Sequence, residues 1–457
     1  MTDRYPEGVL RIDEMQRELA DIVGADHVRA TETADVTDWT GRYRGVGSCI
    51  VRPANTEQVA GVVQWARRRA VSLVPQGGNT GLVGASVPRR DEVIVSTRRL
   101  RVISDVDVLA RQVTAGAGVT LQELQELAAR WDLRYPVDFG ARGSATVGGS
   151  LATNAGGINV VRYGMTRRQV VGVEAVLGSG EVVSHLGGLI KDNTGFDLAG
   201  LLCGSEGTLG IVTAARLQLV PRAPHVVTAL VSCGDVTEAV AVAASVCSRL
   251  DSVDAAELVT RDGVALVREV TGTDSTLPDR PAHVVIECSS TSDQSEALST
   301  VLAEFSSVEV SVAVTASHRS AMWRWREEQT PSINALGVPF KFDVTVPLAR
   351  LAEFVESIPA AIETVRPGAR TFVFGHVADG NMHVNVVGGS GDEDQLTDVV
   401  LGHVVERGGS ISAEHGIGVA KRAWLHLVRS PAEIAAMVAI KRALDPDGIL
   451  NPGVLLP

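Results

Sequence analysis

The sequence predicts an α+β protein in which a mixed region of strands and helices precedes a second domain built on an antiparallel sheet. From about residue 48, short strands such as CIVRP and EVIVST alternate with helices such as TEQVAGVVQWARRRA, and glycine or proline turns separate them. After residue 221 the order becomes strand, helix, strand, strand, helix, in VVTALVSC, TEAVAVAASVCSRL, AAELVT, AHVVIECSS and SDQSEALSTVLAEF. That order is typical of helices packed on an antiparallel sheet.

The 457 residues exceed what one hydrophobic core usually organises, so several domains are expected. Apolar residues at helical spacing predict a helix near the N-terminus, formed around Leu10, Met15, Leu19 and Ile22. Thr56 is the predicted N-cap of the next helix. We expect a first domain over 1–221 (N-terminal helix within 1–40, core over 45–221), a second over 222–405, and a helical closing segment over 406–457.

Composition excludes several classes of function. The formal net charge of −12 argues against nucleic acid as a partner, because phosphate binding needs an excess of Lys and Arg on one face. The charged start MTDRYPEGVLRIDEMQRE predicts no signal peptide, and no apolar run of about 18 residues predicts a membrane span. The five cysteines are scattered, which favours reduced thiols in the cytoplasm over a zinc ribbon or an iron–sulfur cluster.

Three segments concentrate glycine beside small polar residues: PQGGNTG over 75–81, GSATVGGSLATNAGG over 143–157 and GSEGTLG over 204–210. Consecutive glycines let backbone N–H groups surround an anion, and a pyrophosphate suits such a site. Each segment alone fits a tight turn equally well. No dinucleotide-binding G-x-G-x-x-G follows the first strand, and neither a P-loop nor a hydrolase nucleophile motif occurs.

Together these segments, RYG at 162–164 and the closing DPDGILNPG resemble the FAD-binding domain of the vanillyl-alcohol oxidase and p-cresol methylhydroxylase superfamily. Within it the chain is similar to the branch of D-lactate, glycolate and D-2-hydroxyglutarate dehydrogenases. The resemblance implies a two-part FAD-binding domain, a substrate (cap) domain on an antiparallel sheet, and a closing segment that returns to the flavin.

The resemblance also implies which residues hold FAD. They are Pro75, Gln76, Gly77, Gly78, Asn79, Thr80, Gly81, Ser144, Gly148, Gly149, Thr153, Asn154, Gly156, Gly157, Glu206, Ile211 and Asn451. Superfamily members that attach FAD covalently carry His or Cys at set loop positions. Because Asn79 stands in the first loop, we expect non-covalent FAD.

A β-rich segment, TFVFGHVADGNMHVNVV, is centred on Asp379-Gly380, which predicts a hairpin with a two-residue turn. That turn would place His376 opposite His383, with Asn385 on the same face, so that two imidazoles could chelate a divalent ion. The spacing alone equally fits two histidines bonded to solvent or backbone.

The resemblance implies that His376, His383 and Glu414 are metal ligands and that His415 is the catalytic base. Zinc is the favoured ion, with manganese, iron and cobalt as alternatives. Such a metal would acidify the substrate hydroxyl, the base would take its proton, and hydride would pass to flavin N5.

The segment WRWREEQT predicts a helix with Arg326 and Thr330 on one face, and Lys341 follows on an alternating strand. Alone, these fit solvated surface charges, and Lys341 could equally pair with Asp343 or Glu327. The resemblance implies that Arg326, Thr330 and Lys341 contact the substrate carboxylate, and Asn385 is a further candidate for the same cleft.

These expectations describe an FAD- and metal-dependent dehydrogenase of a small D-2-hydroxy acid. Several polar groups around the substrate favour D-2-hydroxyglutarate over D-malate and D-lactate. The alternatives are a D-lactate dehydrogenase, the flavoprotein subunit of a glycolate oxidase, and a transferase similar to alkyl-glycerone-phosphate synthase. A separate electron acceptor is expected, whether quinone, electron-transfer flavoprotein or cytochrome. The oligomeric state stays open, a homodimer being one option.

Overall fold

The computed structural model describes residues 12–273 and 277–457, so Leu10 of the predicted first helix lies outside the described residues. The chain divides into two compact units. The first comprises the described residues up to Ala155, with Met165–Pro221 and His415–Pro457. The second comprises Gly156–Gly164 and Arg222–Glu414. Both units mix helices and strands, which confirms the α+β class.

The first unit contains ten strands: β1 Val28–Arg29, β2 Gly47–Val51, β3 Leu73–Gln76, β4 Glu92–Ser96, β5 Gln112–Gly116, β6 Leu133–Arg134, β7 Val170–Leu177, β8 Val182–His185, β9 Gly210–Gln218 and β10 Val220–Pro221. One sheet has the order β1-β2-β4-β3, with β2, β4 and β3 parallel. A second, antiparallel sheet has the order β5-β9-β7-β8, and β10 pairs with β6.

The helices of the whole chain, numbered in chain order, fall into two groups. In the first unit they are α1 Ile12–Val23, α2 Thr56–Arg69, α3 Leu121–Ala129, α4 Val147–Thr153, α6 Thr166–Gln169, α7 Leu198–Leu202 and α15 Pro431–Leu444. In the second they are α5 Val160–Tyr163, α8 Val236–Arg249, α9 Arg261–Thr271, α10 Ser295–Leu302, α11 Ala316–Glu327, α12 Gln329–Ala335, α13 Leu348–Val365 and α14 Glu393–Val405. None of these described helices is long and apolar enough to cross a bilayer.

Helices of the first unit follow the apolar spacing of the sequence. Helix α1 buries Met15, Leu19 and Val23, which recur every four residues. Helix α2 differs from the prediction at its start, because the N-cap is Asn55 and not Thr56. The Asn55 side chain accepts a hydrogen bond from the Gln58 N–H, as an N-cap requires.

The closing segment completes the first unit next to strand β3. The Leu73 N–H donates to the carbonyl of Ile449, and the Asn451 N–H donates to the carbonyl of Leu73, both at 2.8 Å. The Lys441 ammonium donates to the carbonyls of Thr208 and Leu450, each at 2.7 Å. Because β3 runs directly into the first glycine-rich segment, the chain end is fixed beside that segment.

The second unit is built on one seven-stranded sheet: β11 His225–Cys233, β12 Val253–Thr260, β13 Ala282–Ser290, β14 Glu309–Ala313, β15 Phe340–Thr345, β16 Ala369–His376 and β17 Asn381–Gly388. Its order is β14-β11-β13-β12-β16-β17-β15, and every pair is antiparallel. The predicted strands and helices of this region are present. Helix α9, between β12 and β13, was missed.

The predicted hairpin register is wrong by two residues. The connection between β16 and β17 has four residues, 377–380, so that His376 faces Asn381 and His383 faces Phe374. Successive side chains alternate between the two faces, and a shift of two residues therefore keeps each side chain on its face. His376 and His383 thus share one face, as diagonal rather than direct neighbours.

A buried histidine makes the stability of the second unit depend on pH. His283 in β13 is 1% exposed, and its Nδ1 lies 2.9 Å from the Ser232 hydroxyl. Burial lowers the pKa of His283 to about 4. The folded state therefore keeps this imidazole neutral at pH values where the unfolded chain binds a proton.

We expect the free energy of unfolding to fall as pH drops from about 6.5 to 4, by up to about 3 kcal/mol from this group. Urea midpoints of the full chain across that range measure it. In His283→Gln this part of the slope should disappear, while the exposed His225 provides the matched control, His225→Gln, which should keep it. Equal slopes in wild type and His283→Gln would contradict the prediction.

Candidate active site

The first unit brings its two glycine-rich segments of the 75–81 and 204–210 regions together with the start of the 143–157 region. The N–H groups of Gly204 and Glu206 donate to the carbonyls of Leu151 and Ala152, at 3.0 and 2.8 Å. A Cβ on Gly207 would lie 3.0 Å from Cγ of Pro75. The three segments, distant in sequence, thus form one connected surface.

Glycine is required where these segments meet. A Cβ on Gly77 would collide with the Thr146 hydroxyl, and one on Gly78 would collide with the Ser144 carbonyl. On Gly148, a Cβ would lie 2.6 Å from Cβ of Ala117. The backbones therefore approach more closely than any side chain permits.

The chemistry of this surface fits a bound FAD. Among the described residues, the buried Ser150 hydroxyl and the Asn451 Oδ1 have no hydrogen-bond partner, and such groups are costly unless a ligand or water satisfies them. Non-glycine residues with left-handed backbones also gather here: Asn79, Asn154, Glu206 and Asn451. Strain of this kind concentrates at ligand sites.

Several predicted FAD-binding side chains instead hold the protein together. The Gln76 amide donates to the carbonyls of Asp35 and Ser86, and the Asn79 amide donates to those of Ala34 and Thr37. Ile211 is 1% exposed and packs in the hydrophobic core. These residues shape the loop, and cofactor contacts would come from its backbone.

Glu206 also serves the chain itself. Its carboxylate accepts hydrogen bonds from the N–H groups of Ile417 and Gly418, each at 2.8 Å, although burial raises its pKa to about 7. Its carbonyl accepts from the Asn451 amide at 2.7 Å. The loop that follows His415, the predicted base, is thereby fixed to the third glycine-rich segment.

Gly156 and Gly157, predicted to contact FAD, belong to the second unit and contact Glu414 there. The Gly157 N–H donates to Glu414 Oε2 at 2.7 Å, and a Cβ on Gly156 would lie 2.5 Å from the same oxygen. One oxygen of Glu414 is therefore held by this glycine pair.

The other oxygen of Glu414 faces both predicted histidine ligands. Its Oε1 lies 3.7 Å from Nε2 of His376 and 4.0 Å from Nε2 of His383. The imidazole rings are nearly perpendicular, with centroids 5.4 Å apart. Two imidazole nitrogens and one carboxylate oxygen thus converge on one point.

That donor set fits a divalent metal. Two imidazoles and a carboxylate with an open fourth position are the usual ligands of catalytic zinc. Ligand atoms about 2 Å from a tetrahedral ion lie about 3.3 Å apart, so closing the observed separations needs movements of less than about 1 Å. His415 is the residue after Glu414 and opens the last segment of the first unit.

Two carboxylates that sequence reasoning missed orient the histidines. Glu257 Oε1 lies 2.5 Å from Nδ1 of His376, and Asp343 Oδ1 lies 3.5 Å from Nδ1 of His383. Both carboxylates are buried, and Asp343 also accepts from the Glu414 N–H at 2.8 Å. A signal was present in the sequence, since each is a charged residue within an otherwise apolar strand.

The carboxylates set the charge of the imidazoles in opposite ways. Burial alone would lower the pKa of His376, but the negative charges of Glu257 and Glu414 outweigh it and hold that pKa well above its usual value. For His383, burial dominates and its pKa is lowered despite Asp343. Burial would raise the pKa of Glu257, yet His376 and Arg326 hold it below the usual range.

The predicted substrate-binding residues lie on or near the same face of this sheet. Lys341 and Asn385 face each other across β15 and β17, one pair along from Asp343 and His383. Arg326 lies over the Phe374 ring at 4.6 Å, and its Nε donates to Glu257 at 2.6 Å. The single predicted helix is interrupted at Glu328, so that Arg326 ends α11 and Thr330 begins in α12.

Lys341 has neither of the ion pairs considered from the sequence. Within the described residues it forms no salt bridge with Asp343 or Glu327, and burial lowers its pKa. Its face of the sheet also holds the buried Asn385 amide, which is 4% exposed. This ammonium is available to a ligand.

Solved structures of known proteins share the fold of this chain. An alkyldihydroxyacetonephosphate synthase matches with a TM-score of 0.74 and 17% identity, covering 98% of this chain and 86% of that one. A substrate-bound p-cresol methylhydroxylase matches with a TM-score of 0.73 and 17% identity, covering 98% of each chain. At this identity the likeness shows the fold alone, which is that of the vanillyl-alcohol oxidase superfamily.

Sequence comparisons are more specific. Residues 47–185 match the family model described as FAD binding domain, and residues 222–455 match that of the C-terminal domain of FAD linked oxidases. The chain is 37% identical over 450 residues to the D-2-hydroxyglutarate dehydrogenase of Xanthomonas citri pv. viticola, covering 93% of each. The chain therefore belongs to the FAD-linked oxidase family that includes the D-2-hydroxyglutarate dehydrogenases, and it is an FAD-dependent hydroxy-acid dehydrogenase.

Proposed function

We propose that the protein oxidises D-2-hydroxyglutarate to the 2-oxo acid with non-covalent FAD and a divalent metal, of which zinc suits the site best. The observation that carries this proposal is the convergence of His376, His383 and Glu414 on the sheet face that also presents Lys341. A metal-ligand set beside an unpaired cation suits a hydroxy acid, which chelates through hydroxyl and carboxylate oxygens.

Each residue has a defined task in this proposal. The guanidinium of Arg326 and the ammonium of Lys341 bind carboxylates, and Thr330 and Asn385 donate hydrogen bonds. His415 takes the proton of the 2-hydroxyl. Bound metal would acidify that hydroxyl, and FAD would accept the hydride from Cα at N5. The 2-oxo acid then leaves, and a separate quinone, electron-transfer flavoprotein or cytochrome takes the electrons.

A dicarboxylate accounts for the cations better than a monocarboxylate. Lactate has one carboxylate and a methyl group, so one of the two cations would remain unpaired beside apolar atoms. Leaving a buried polar group unsatisfied costs about 1–3 kcal/mol. The second carboxylate of 2-hydroxyglutarate or malate removes that cost, and we therefore rank D-2-hydroxyglutarate first, D-malate second and D-lactate third.

The alternatives predict different behaviour. A glycolate oxidase flavoprotein would need partner subunits, whereas the proposed enzyme bleaches its flavin alone. A synthase of the alkyldihydroxyacetonephosphate kind shares the fold, but the His376–His383–Glu414 set supports metal-assisted oxidation. Anaerobic bleaching of the flavin by a panel of D- and L-2-hydroxy acids separates these functions, since only a dehydrogenase bleaches with its own substrate.

Acid precipitation of the purified protein should release FAD into the supernatant. The physical reason is that Asn79 offers no nucleophile for a covalent bond and its amide is engaged with backbone carbonyls. Absorption spectra and chromatography of the supernatant identify the flavin. A flavin that remains with the pellet would contradict non-covalent binding.

Removing a metal ligand and removing the base should have separable effects. His376→Ala should lose both metal and activity, because one of three donors is gone. His415→Asn should retain metal and FAD but lose about 10²–10⁴-fold in kcat, the usual contribution of a positioned base. His225→Ala, an exposed histidine of the same sheet, is the control. Elemental analysis showing full metal content in His376→Ala would refute the chelate.

Substrate preference should depend on Lys341. The ratio of kcat/KM for D-2-hydroxyglutarate to that for D-lactate should exceed one in the wild type and drop about 10-fold or more in Lys341→Met, as expected for a lost charge-assisted hydrogen bond. Lys191→Met, at an exposed lysine of the first unit, should leave the ratio unchanged. A wild-type preference for D-lactate, or the same ratio in Lys341→Met, would exclude the dicarboxylate proposal.

A further inference from the structure

Glu257 has an unusual position in the second unit. It lies in the middle of β12, within the apolar stretch AAELVT, and its side chain is 0% exposed. Burying a carboxylate is costly unless charged or hydrogen-bonding partners compensate for its lost hydration. The reason for this charge must therefore be sought in its partners.

Both oxygens of Glu257 are engaged, and each partner has a task in the proposed function. Oε1 lies 2.5 Å from Nδ1 of His376, a proposed metal ligand. Oε2 accepts from Nε of Arg326 at 2.6 Å, and Arg326 is a proposed substrate contact. One carboxylate therefore connects the metal site to the substrate-binding cation.

The geometry leaves the functional end of each partner available. With Nδ1 donating to Glu257, the Nε2 lone pair of His376 points toward Glu414, 3.7 Å away. Arg326 uses Nε for Glu257, and within the described part of its unit its Nη atoms form no hydrogen bond that competes with a carboxylate. A metal-ligating histidine held in this way by a carboxylate is more basic and better oriented.

The second histidine shows the contrast. Asp343 lies 3.5 Å from Nδ1 of His383 and binds Asn381 and the backbone of Glu414. No cation is among these contacts. Asp343 thus supports the metal ligands alone, whereas Glu257 reaches both the metal ligand and the substrate contact.

We propose that Glu257 is a positioning residue that couples metal binding to substrate binding: it fixes His376 for the metal and Arg326 for the substrate carboxylate. The inference rests on the proposed function. A merely structural counter-ion of Arg326 would affect folding but neither metal affinity nor the substrate KM of the folded enzyme.

The test uses the holoenzyme and Glu257→Gln, with Glu287→Gln as the matched control. Glu287 lies on the neighbouring strand β13 and accepts from Trp323 of the same helix α11, at 2.8 Å. Zn²⁺ affinity is measured by competition with a chromophoric chelator, and KM and kcat for D-2-hydroxyglutarate are measured at saturating Zn²⁺. FAD content and far-UV circular dichroism report folding.

In Glu257→Gln we expect Zn²⁺ to bind about 10–100-fold more weakly and KM at saturating Zn²⁺ to rise more than kcat falls. Glu287→Gln should match the wild type in both. Zn²⁺ affinity and KM within twofold of wild type in Glu257→Gln would overturn the inference while leaving the proposed function intact. A wild-type protein that binds no Zn²⁺ would overturn both.

A second comparison covers misfolding of Glu257→Gln, since that variant leaves Arg326 without its partner. The double variant Glu257→Gln/Arg326→Gln buries no unpaired charge, and it is compared with Arg326→Gln alone. The two differ only in Glu257, so Zn²⁺ binding at least about 10-fold weaker in the double variant supports the inference. Equal Zn²⁺ affinity in the two overturns it.

Discussion

The second unit depends on one constraint, which is that charge buried on a β-sheet must be paired. Arg326, Glu257, His376, Glu414, His383 and Asp343 form a continuous series of contacts on one face, in which each ionisable side chain has a partner of complementary charge or hydrogen-bonding capacity. Removing one member leaves its neighbour uncompensated in a medium of low polarity. The series therefore fixes side-chain positions more tightly than exposed ion pairs would.

The first unit is organised by a different constraint, the close approach of backbones. The glycine-rich segments contact one another where no Cβ would fit, and Asn79, Asn154, Glu206 and Asn451 adopt backbone angles that most residues avoid. The chain tolerates this because its N–H groups and carbonyls stay available at one surface. The buried Ser150 hydroxyl and Asn451 Oδ1, which lack partners among the described residues, lie in those same segments.

Fold and chemistry are separable in this superfamily. A synthase and a methylhydroxylase share the fold with similar TM-scores, so the architecture alone does not select a reaction. The proposed chemistry instead depends on a few side chains of one sheet, above all on two histidines, one glutamate and one lysine. Glu257 and Asp343 would determine how well those side chains are oriented.

The sequence by itself determined the α+β class, the glycine-rich segments and the common face of His376 and His383, because local periodicity and glycine content carry this information. It did not determine the hairpin register, since a four-residue connection replaced the expected two-residue turn, nor the interruption at Glu328. Glu257 lies 69 residues from Arg326 and 119 from His376. Only the tertiary structure decided those partnerships, because the pairing of strands β12 and β16 and the packing of α11 on the sheet bring together groups that no local pattern relates.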